Sequence, residues 1–307
     1  MIKGLVLKST GSWYSVKTTD GFITNCKVKG KLRTLDIKST NPISVGDWVE
    51  FEEVDDQTGV IINIVDRKNY IIRKASNLSK ESHIIAANID QAILVVTLIF
   101  PETSLEFIDR FLASSEAYRI PVTIVVNKTD LYQESLKSLL LEIHDIYEPI
   151  GYNVIETSVM NKKNIDLLNL ALKGKVSVLS GNSGVGKSSL INSLYPNLNL
   201  KVGSISDYHN KGKHTTTFAE MIELPNGGYI IDTPGIKGFG LVYLDKNEIY
   251  HFFPEIFKYA SSCQFHNCLH MEEPKCAVKD AVESGKIKSS RYNSYLSILD
   301  DENSKYR

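Results

Sequence analysis

The stretch "GNSGVGKS" at residues 181–188 limits the fold more than any other feature of this 307-residue chain. It follows the apolar run "VSVLS" and opens the helix-like "SLINSLY". That is the strand–loop–helix setting in which G-x-x-x-x-G-K-[ST] acts as a phosphate loop. Gly181, Gly184 and Gly186 let the backbone turn its N–H groups inward around the phosphates. Lys187 brings a cation to β/γ oxygens, and the Ser188 hydroxyl is a Mg²⁺ ligand. The following helix start adds potential that favours an anion.

The surrounding pattern agrees. "DQAILVVTLIF" and "PVTIVVNKTD" are continuous apolar runs, as strands buried on both faces require. "SLEFIDRFLASSEAYR" carries Leu105, Ile108, Phe111 and Leu112 at helical spacing, and "ESLKSLLLEIHDIY" puts Leu136, Leu139, Leu140, Ile143 and Tyr147 on one stripe. With strands "NVIETS", "KVSVLSG", "TTTFAEMIEL" and "GGYIIDTPG" and the helix "IDLLNLAL", this predicts a doubly wound α/β domain.

Three more motifs fall at strand ends, where ligands bind in such sheets. "NKTD" places Asn127, Lys128, Thr129 and Asp130 after "PVTIVV". The Asp130 carboxylate can accept from guanine N1–H and the 2-amino group, neither of which adenine offers. Asn127 would steady the loop and touch the base, and the Lys128 stem would cover the ring. "ETS" at 156–158 offers the backbone of Thr157 and Ser158 to guanine O6. In "DTPG", Asp232 reaches Mg²⁺ through water and the Gly235 N–H senses a γ-phosphate. One of Thr215, Thr216 and Thr217 supplies a second hydroxyl to Mg²⁺, with Thr216 favoured. Ras-like GTPases place the phosphate loop before the guanine loop, whereas here it comes after. The cyclic order is preserved and entered at another point, a circular permutation that a site needing only spatial adjacency permits.

The reaction centre departs from the Ras-like pattern. Ile236 stands where a glutamine would orient the attacking water, so slow intrinsic hydrolysis is expected. His214 is the nearest candidate catalytic group by sequence. Gly184 occupies the position where potassium-dependent GTPases carry asparagine, which argues against a K⁺ requirement.

Residues 1–69 read as five short strands with turn signals between them, the size of an oligonucleotide-binding (OB) barrel. "DRKNYIIRKASNLSKES" reads as a link to the α/β domain. Net charge is −1, but residues 1–40 hold eight basic side chains against two acidic ones. Trp13, Tyr14, Lys27, Lys29, Lys31 and Arg33 would give such a barrel stacking faces and a basic groove for RNA. Trp13 and Tyr14 equally suit the barrel core.

Beyond residue 243 the chain reads helical around "CQFHNCLHMEEPKC". Cys263, Cys268, His270 and Cys276 form C-x₄-C-x-H-x₅-C, which suits a closed, structural Zn²⁺ site. His266 is an alternative fourth ligand. No apolar run nears the roughly 20 residues that span a bilayer. The start lacks a signal-peptide pattern, so a cytoplasmic protein without membrane contact is expected.

The order of these features, OB-like start, NKTD, GNSGVGKS, "KHTTT", DTPG and the cysteine cluster, resembles the circularly permuted, small-ribosomal-subunit-dependent GTPases (the RsgA/YjeQ/YloQ family). The resemblance covers essentially the whole chain. It implies an OB domain over 1–69, a permuted P-loop GTPase domain over 70–242 and a helical zinc domain over 243–307. It further implies GTP and GDP as ligands, with Asn182, Ser183, Val185 and Ser189 joining the rest of 181–189 in binding the phosphates, Mg²⁺ with GTP and one structural Zn²⁺. The partners it implies are the 30S subunit and its 16S rRNA, with weak GTP hydrolysis stimulated by the subunit during late 30S maturation. A monomer is expected. A histidine of the threonine-rich loop, here His214, is the proposed hydrolytic residue of such proteins, although many carry Arg before it where this chain has Lys213.

Overall fold

The computed structural model describes residues 1–29, 42–55, 57–74, 82–198, 200, 220–232 and 245–304. Strands β1 (Ile2–Ser9), β2 (Tyr14–Thr18), β3 (Ile23–Val28), β4 (Trp48–Glu53) and β5 (Thr58–Ile64) pair in the order β1-β2-β3-β5-β4. β4 returns to β1, which closes an OB-type barrel. Alternation decides what lies inside: Val6, Tyr14, Val16, Cys26, Val49, Phe51 and Ile61 fill the barrel core. Tyr14 is therefore a core residue at 1% exposure, while its neighbour Trp13 is 39% exposed.

The segment expected as a link, residues 66–82, contains a strand, β6 (Tyr70–Lys74), which pairs antiparallel as a hairpin with β7 (Ser82–Ala87) at and beyond the segment's end. Each half is only five or six residues long, too short for its β-branched content to stand out beside the polar residues between them. The Ala87 N–H donates to Val45 O at 2.9 Å and Ser44 Oγ to Ile84 O at 2.9 Å, so the hairpin is fastened to the barrel.

The central sheet contains β8 (Gln91–Val96), β9 (Val122–Val126), β10 (Asn153–Glu156), β11 (Val176–Ser180), β12 (Glu220–Glu223) and β13 (Tyr229–Asp232). Their order is β10-β9-β8-β11-β13-β12, parallel except for β12. Every residue of β8 and β9 is buried, as their unbroken apolar runs require. Helices α1 (Leu105–Ala117), α2 (Glu134–Tyr147), α3 (Ile165–Leu172) and α4 (Lys187–Leu194) connect the strands. From β8 the chain winds toward β10, and from β11 it winds toward β13. The switch point lies between β8 and β11, which is where a doubly wound sheet opens its ligand crevice.

One predicted stripe needs correction. On α2 the buried residues are Ile143, Ile146 and Tyr147, with Leu136 and Leu140 packed against them, while Leu139 is 44% exposed. At about 100° per residue Leu139 lies between Ile143 and Ile146 in angle, but it sits in the first half of the helix, where no residue is buried.

Helices α5 (Pro254–Ala260), α6 (Ala277–Glu283) and α7 (Ser289–Ser304) follow. Their core of Ile249, Phe253, Ile256, Val278, Tyr295, Ile298 and Leu299 includes Cys268 and Cys276 and reaches Ala113 on α1. The barrel and the central sheet are also joined: β1 pairs with β12 at Lys8↔Glu220, so all eleven strands form one sheet. Among the described residues no helix is long and apolar enough to cross a membrane.

Candidate functional site

The strand ends Val96, Val126, Glu156, Ser180 and Asp232 all point the same way, because their strands are parallel. The loop after β11 fits only because it lacks side chains at two places. Gly181 has φ 136°, and a Cβ there would lie 2.1 Å from Val95 O; at Gly186 (φ 97°) it would lie 2.5 Å from Asn127 Nδ2. Val185, fully buried, anchors the loop in the core with Leu179 and Leu190. Ser183 and Gly184 are exposed at its tip, Asn182 and Ser189 half-buried, and Ser188 buried. Lys187 Nζ donates to Gly181 O at 2.7 Å and Asn182 O at 2.8 Å, so its ammonium lies within the loop.

Asn127 knots three motifs together. Its Nδ2 donates to Val185 O at 2.8 Å, and its Oδ1 accepts from Thr157 Oγ1 at 3.0 Å. Lys128 reaches the same loop from the side, with Nζ donating to Gly184 O at 2.7 Å and also to Phe100 O. The Thr129 N–H and hydroxyl both donate to Thr157 O at 3.1 Å. Asp130 is exposed, and Ser158 Oγ donates to its Oδ1 at 2.5 Å. That single bond orients the carboxylate and leaves Oδ2 without a partner among the described residues.

The Ser158 loop is braced in turn. Asn161 N–H donates to Ser158 Oγ at 3.1 Å, and Lys163 Nζ to Glu156 Oε2 at 2.6 Å. Burial opposes the charge on Glu156, yet Lys163 and His144 outweigh it and hold its carboxyl below the usual range. Tyr132 was missed by sequence reasoning. Its hydroxyl donates to Asn127 O at 2.6 Å and accepts from Leu98 N–H at 3.0 Å. Burial pushes this phenol up to about 12, so it stays a donor. No spacing rule marks a tyrosine two residues after NKTD.

The candidates His214, Thr216 and Gly235, with Thr215, Thr217 and Ile236, lie outside the described residues. Asp232 is described as the last residue of β13, beside β11 and hence beside the phosphate loop. A buried hydroxyl at Ser188 and a carboxylate residue ending the next strand are oxygen donors of the kind Mg²⁺ takes.

The second cluster lies between α5 and α6. One ligand atom from each of Cys263, Cys268, His270 and Cys276 falls within 4.8 Å of every other. Cys263 Sγ and Cys276 Sγ stand 3.6 and 3.5 Å from His270 Nδ1, and 3.9 Å from each other. A tetrahedral Zn²⁺ with ordinary bond lengths needs edges of about 3.6–3.8 Å, so the donor set fits. His270, not His266, completes it. Burial lowers the pKa of His270, which keeps the imidazole in its ligating form, and pushes the Cys268 thiol up to about 12. A bound divalent cation would offset the cost of a thiolate there. Two α7 tyrosines fix the loop, Tyr292 donating to His270 O at 2.5 Å and Tyr295 to Leu269 O at 2.7 Å.

A family model described as RsgA GTPase matches residues 64–242, and one described as RsgA N-terminal domain matches residues 3–61. A protein of Phocaeicola vulgatus named small ribosomal subunit biogenesis GTPase RsgA is 56% identical over 307 residues, covering 100% of this chain and 99% of its own. A Bacteroides fragilis protein of the same name is 55% identical with the same coverage. Among solved structures, YjeQ from Thermotoga maritima superposes with a TM-score of 0.81 at 35% identity, over 98% of each chain. YloQ, described as a circularly permuted GTPase, gives 0.78 at 30% identity, over 99% of this chain and 96% of that one.

Proposed function

Because the chain belongs to the RsgA GTPase family, we propose that it binds the 30S ribosomal subunit and assists its late maturation, hydrolysing GTP to GDP and phosphate with stimulation by the subunit. The observation that carries this reading is the convergence of NKTD, ETS and the phosphate loop on Asn127 and Lys128. A guanine-selective loop and a phosphate-binding loop set that close suit one nucleotide.

In this reading Asp130 takes the guanine N1–H and 2-amino donors, with Asn127, Lys128, Thr129, Thr157 and Ser158 shaping the base pocket. Gly181 to Ser189 wrap the phosphates, and Lys187 turns from the loop carbonyls toward them. Mg²⁺, held by Ser188 and Thr216 with Asp232 behind water, would neutralise charge on the β/γ oxygens. Gly235 senses the γ-phosphate, and His214 assists the attacking water in place of the glutamine that Ile236 replaces.

The Cys263–Cys268–His270–Cys276 cluster takes one Zn²⁺ as a closed structural site. On the barrel, exposed Trp13 with Lys27 Nζ 4.3 Å from its ring centroid supports a stacking and phosphate contact to 16S rRNA. Lys31 and Arg33 lie outside the described residues. The units are 1–69, 70–242 and 243–307, and the protein works as a cytoplasmic monomer without membrane contact.

Multiple-turnover GTP hydrolysis, measured with and without 30S subunits, tests the reading. Stimulation of at least about tenfold is expected, lost in Lys187→Ala. Equal rates with and without subunits would refute it.

A further inference from the structure

Glu220 is where the barrel and the central sheet meet. On one side it is the register partner of Lys8 in β1, and on the other of Asp232 in β13. Those pairs make one lateral row, from the barrel strand through β12 to the residue that ends β13. At the far end of the β12–β13 hairpin, Lys17 of β2 donates to Glu223 Oε2 at 2.5 Å and stands 5.9 Å from the centroid of the Tyr229 ring. Glu223 and Tyr229 are themselves register partners. The barrel thus grips the hairpin at both ends.

The two grips differ in strength. Lys8 and Glu220 are about half exposed, where an ion pair contributes little. Lys17 is 19% exposed and adds a ring face to its carboxylate partner, so it carries more of the contact. Beneath them, Leu5 and Val45 share a core with Met221 and Ile231, so the hairpin has packing as well as charge to follow. By chain connection the hairpin lies between residues 201–219, which include the threonine-rich run, and 233–244, which include Gly235.

We propose that Lys17 is a positioning residue that couples RNA occupancy of the barrel to the nucleotide state. It does so by fixing the hairpin that joins the two nucleotide-sensing segments to the barrel strands. This rests on the reading under Proposed function. Coupling of binding is reciprocal: whatever GTP does to the barrel's affinity for RNA, RNA does to the affinity for GTP.

The test measures 30S affinity of the full chain with a non-hydrolysable GTP analogue and with GDP, alongside subunit-stimulated hydrolysis. For the parent chain the analogue should tighten binding by at least about tenfold. Lys17→Ala should bring that ratio to within about twofold of one, while GTP affinity of the isolated chain stays within about twofold. Glu223→Gln should do the same, and the exchange Lys17→Glu with Glu223→Lys should restore the ratio. An unchanged ratio in Lys17→Ala overturns the proposal. Equal weakening in both nucleotide states also overturns it, because Lys17 would then be a simple contact. A parent chain that ignores subunits altogether refutes the ribosomal reading itself, a result distinguishable from both.

Discussion

Arg291 Nη1 donates to Asp109 Oδ1 at 2.9 Å, and the two side chains are 1% and 0% exposed. The pair bolts α7 to α1 from inside. Arg291 also donates to Glu255 on α5 at 2.6 Å, while Tyr147 and Ser294 donate to Asp109 at 2.7 and 2.6 Å. The cluster thus draws on α1, α2, α5 and α7, with Arg291 and Ser294 both from α7.

Arg291→Ala removes the only cation of that group and strands two carboxylates in the interior. Breaking a buried pair on one side costs about 3–5 kcal/mol. The expected result is a lower urea midpoint, with amide protection lost first in α5 and α7. Protection unchanged in those helices would show the pair to be idle.

Asp130→Asn exchanges an acceptor-only carboxylate for an amide that can donate. Guanine, whose N1–H and 2-amino group donate, should lose up to about 10⁴-fold in affinity, whereas xanthine, with a 2-carbonyl, should gain. Ser158→Ala should weaken GTP by about ten- to a hundredfold by freeing the Asp130 carboxylate, the usual value of a hydrogen bond to a charged group. Competition titrations with GDP and XDP read both effects.

Trp13 and Tyr14 are neighbours with opposite expected phenotypes. Tyr14→Ala empties the barrel core and should cost about 3–5 kcal/mol of stability. Trp13→Ala should leave the thermal midpoint in place and weaken single-stranded RNA binding by about 1–3 kcal/mol. Thermal melts and fluorescence anisotropy on the same samples separate them.

Cys276→Ser should lower bound zinc, measured by elemental analysis, from about one per chain to near zero. It should also loosen α6, which starts directly after this residue. GTP affinity, which depends on loops in the central sheet, should remain.

Local pattern made much of this molecule legible. Five alternating segments became β1 to β5, and two unbroken apolar runs became the fully buried β8 and β9. The nucleotide motifs were readable because their chemistry dictates residue type and spacing within a few positions. The cysteine cluster was readable for the same reason. What escaped notice depends on distance in the chain. Asp109 and Arg291 are 182 residues apart, and neither carries a local mark. Tyr132 acquires its role only when the ends of β8 and β9 come together. The β6–β7 hairpin was hidden by brevity, and Leu139 because spacing gives the angle of a residue on α2 but not which half of the helix is covered.

The permuted strand order also bears on how the chain is made. During synthesis β8, β9 and β10 emerge first as half a parallel sheet, and β11 follows about 80 residues after β8, at a typical 5–20 residues per second. Until it arrives, one margin of β8, apolar from Ala92 to Val96, has no neighbour. Such a bare edge invites pairing with other nascent chains. A few seconds of vulnerability on the translating ribosome is therefore the kinetic toll of opening the sheet in its middle.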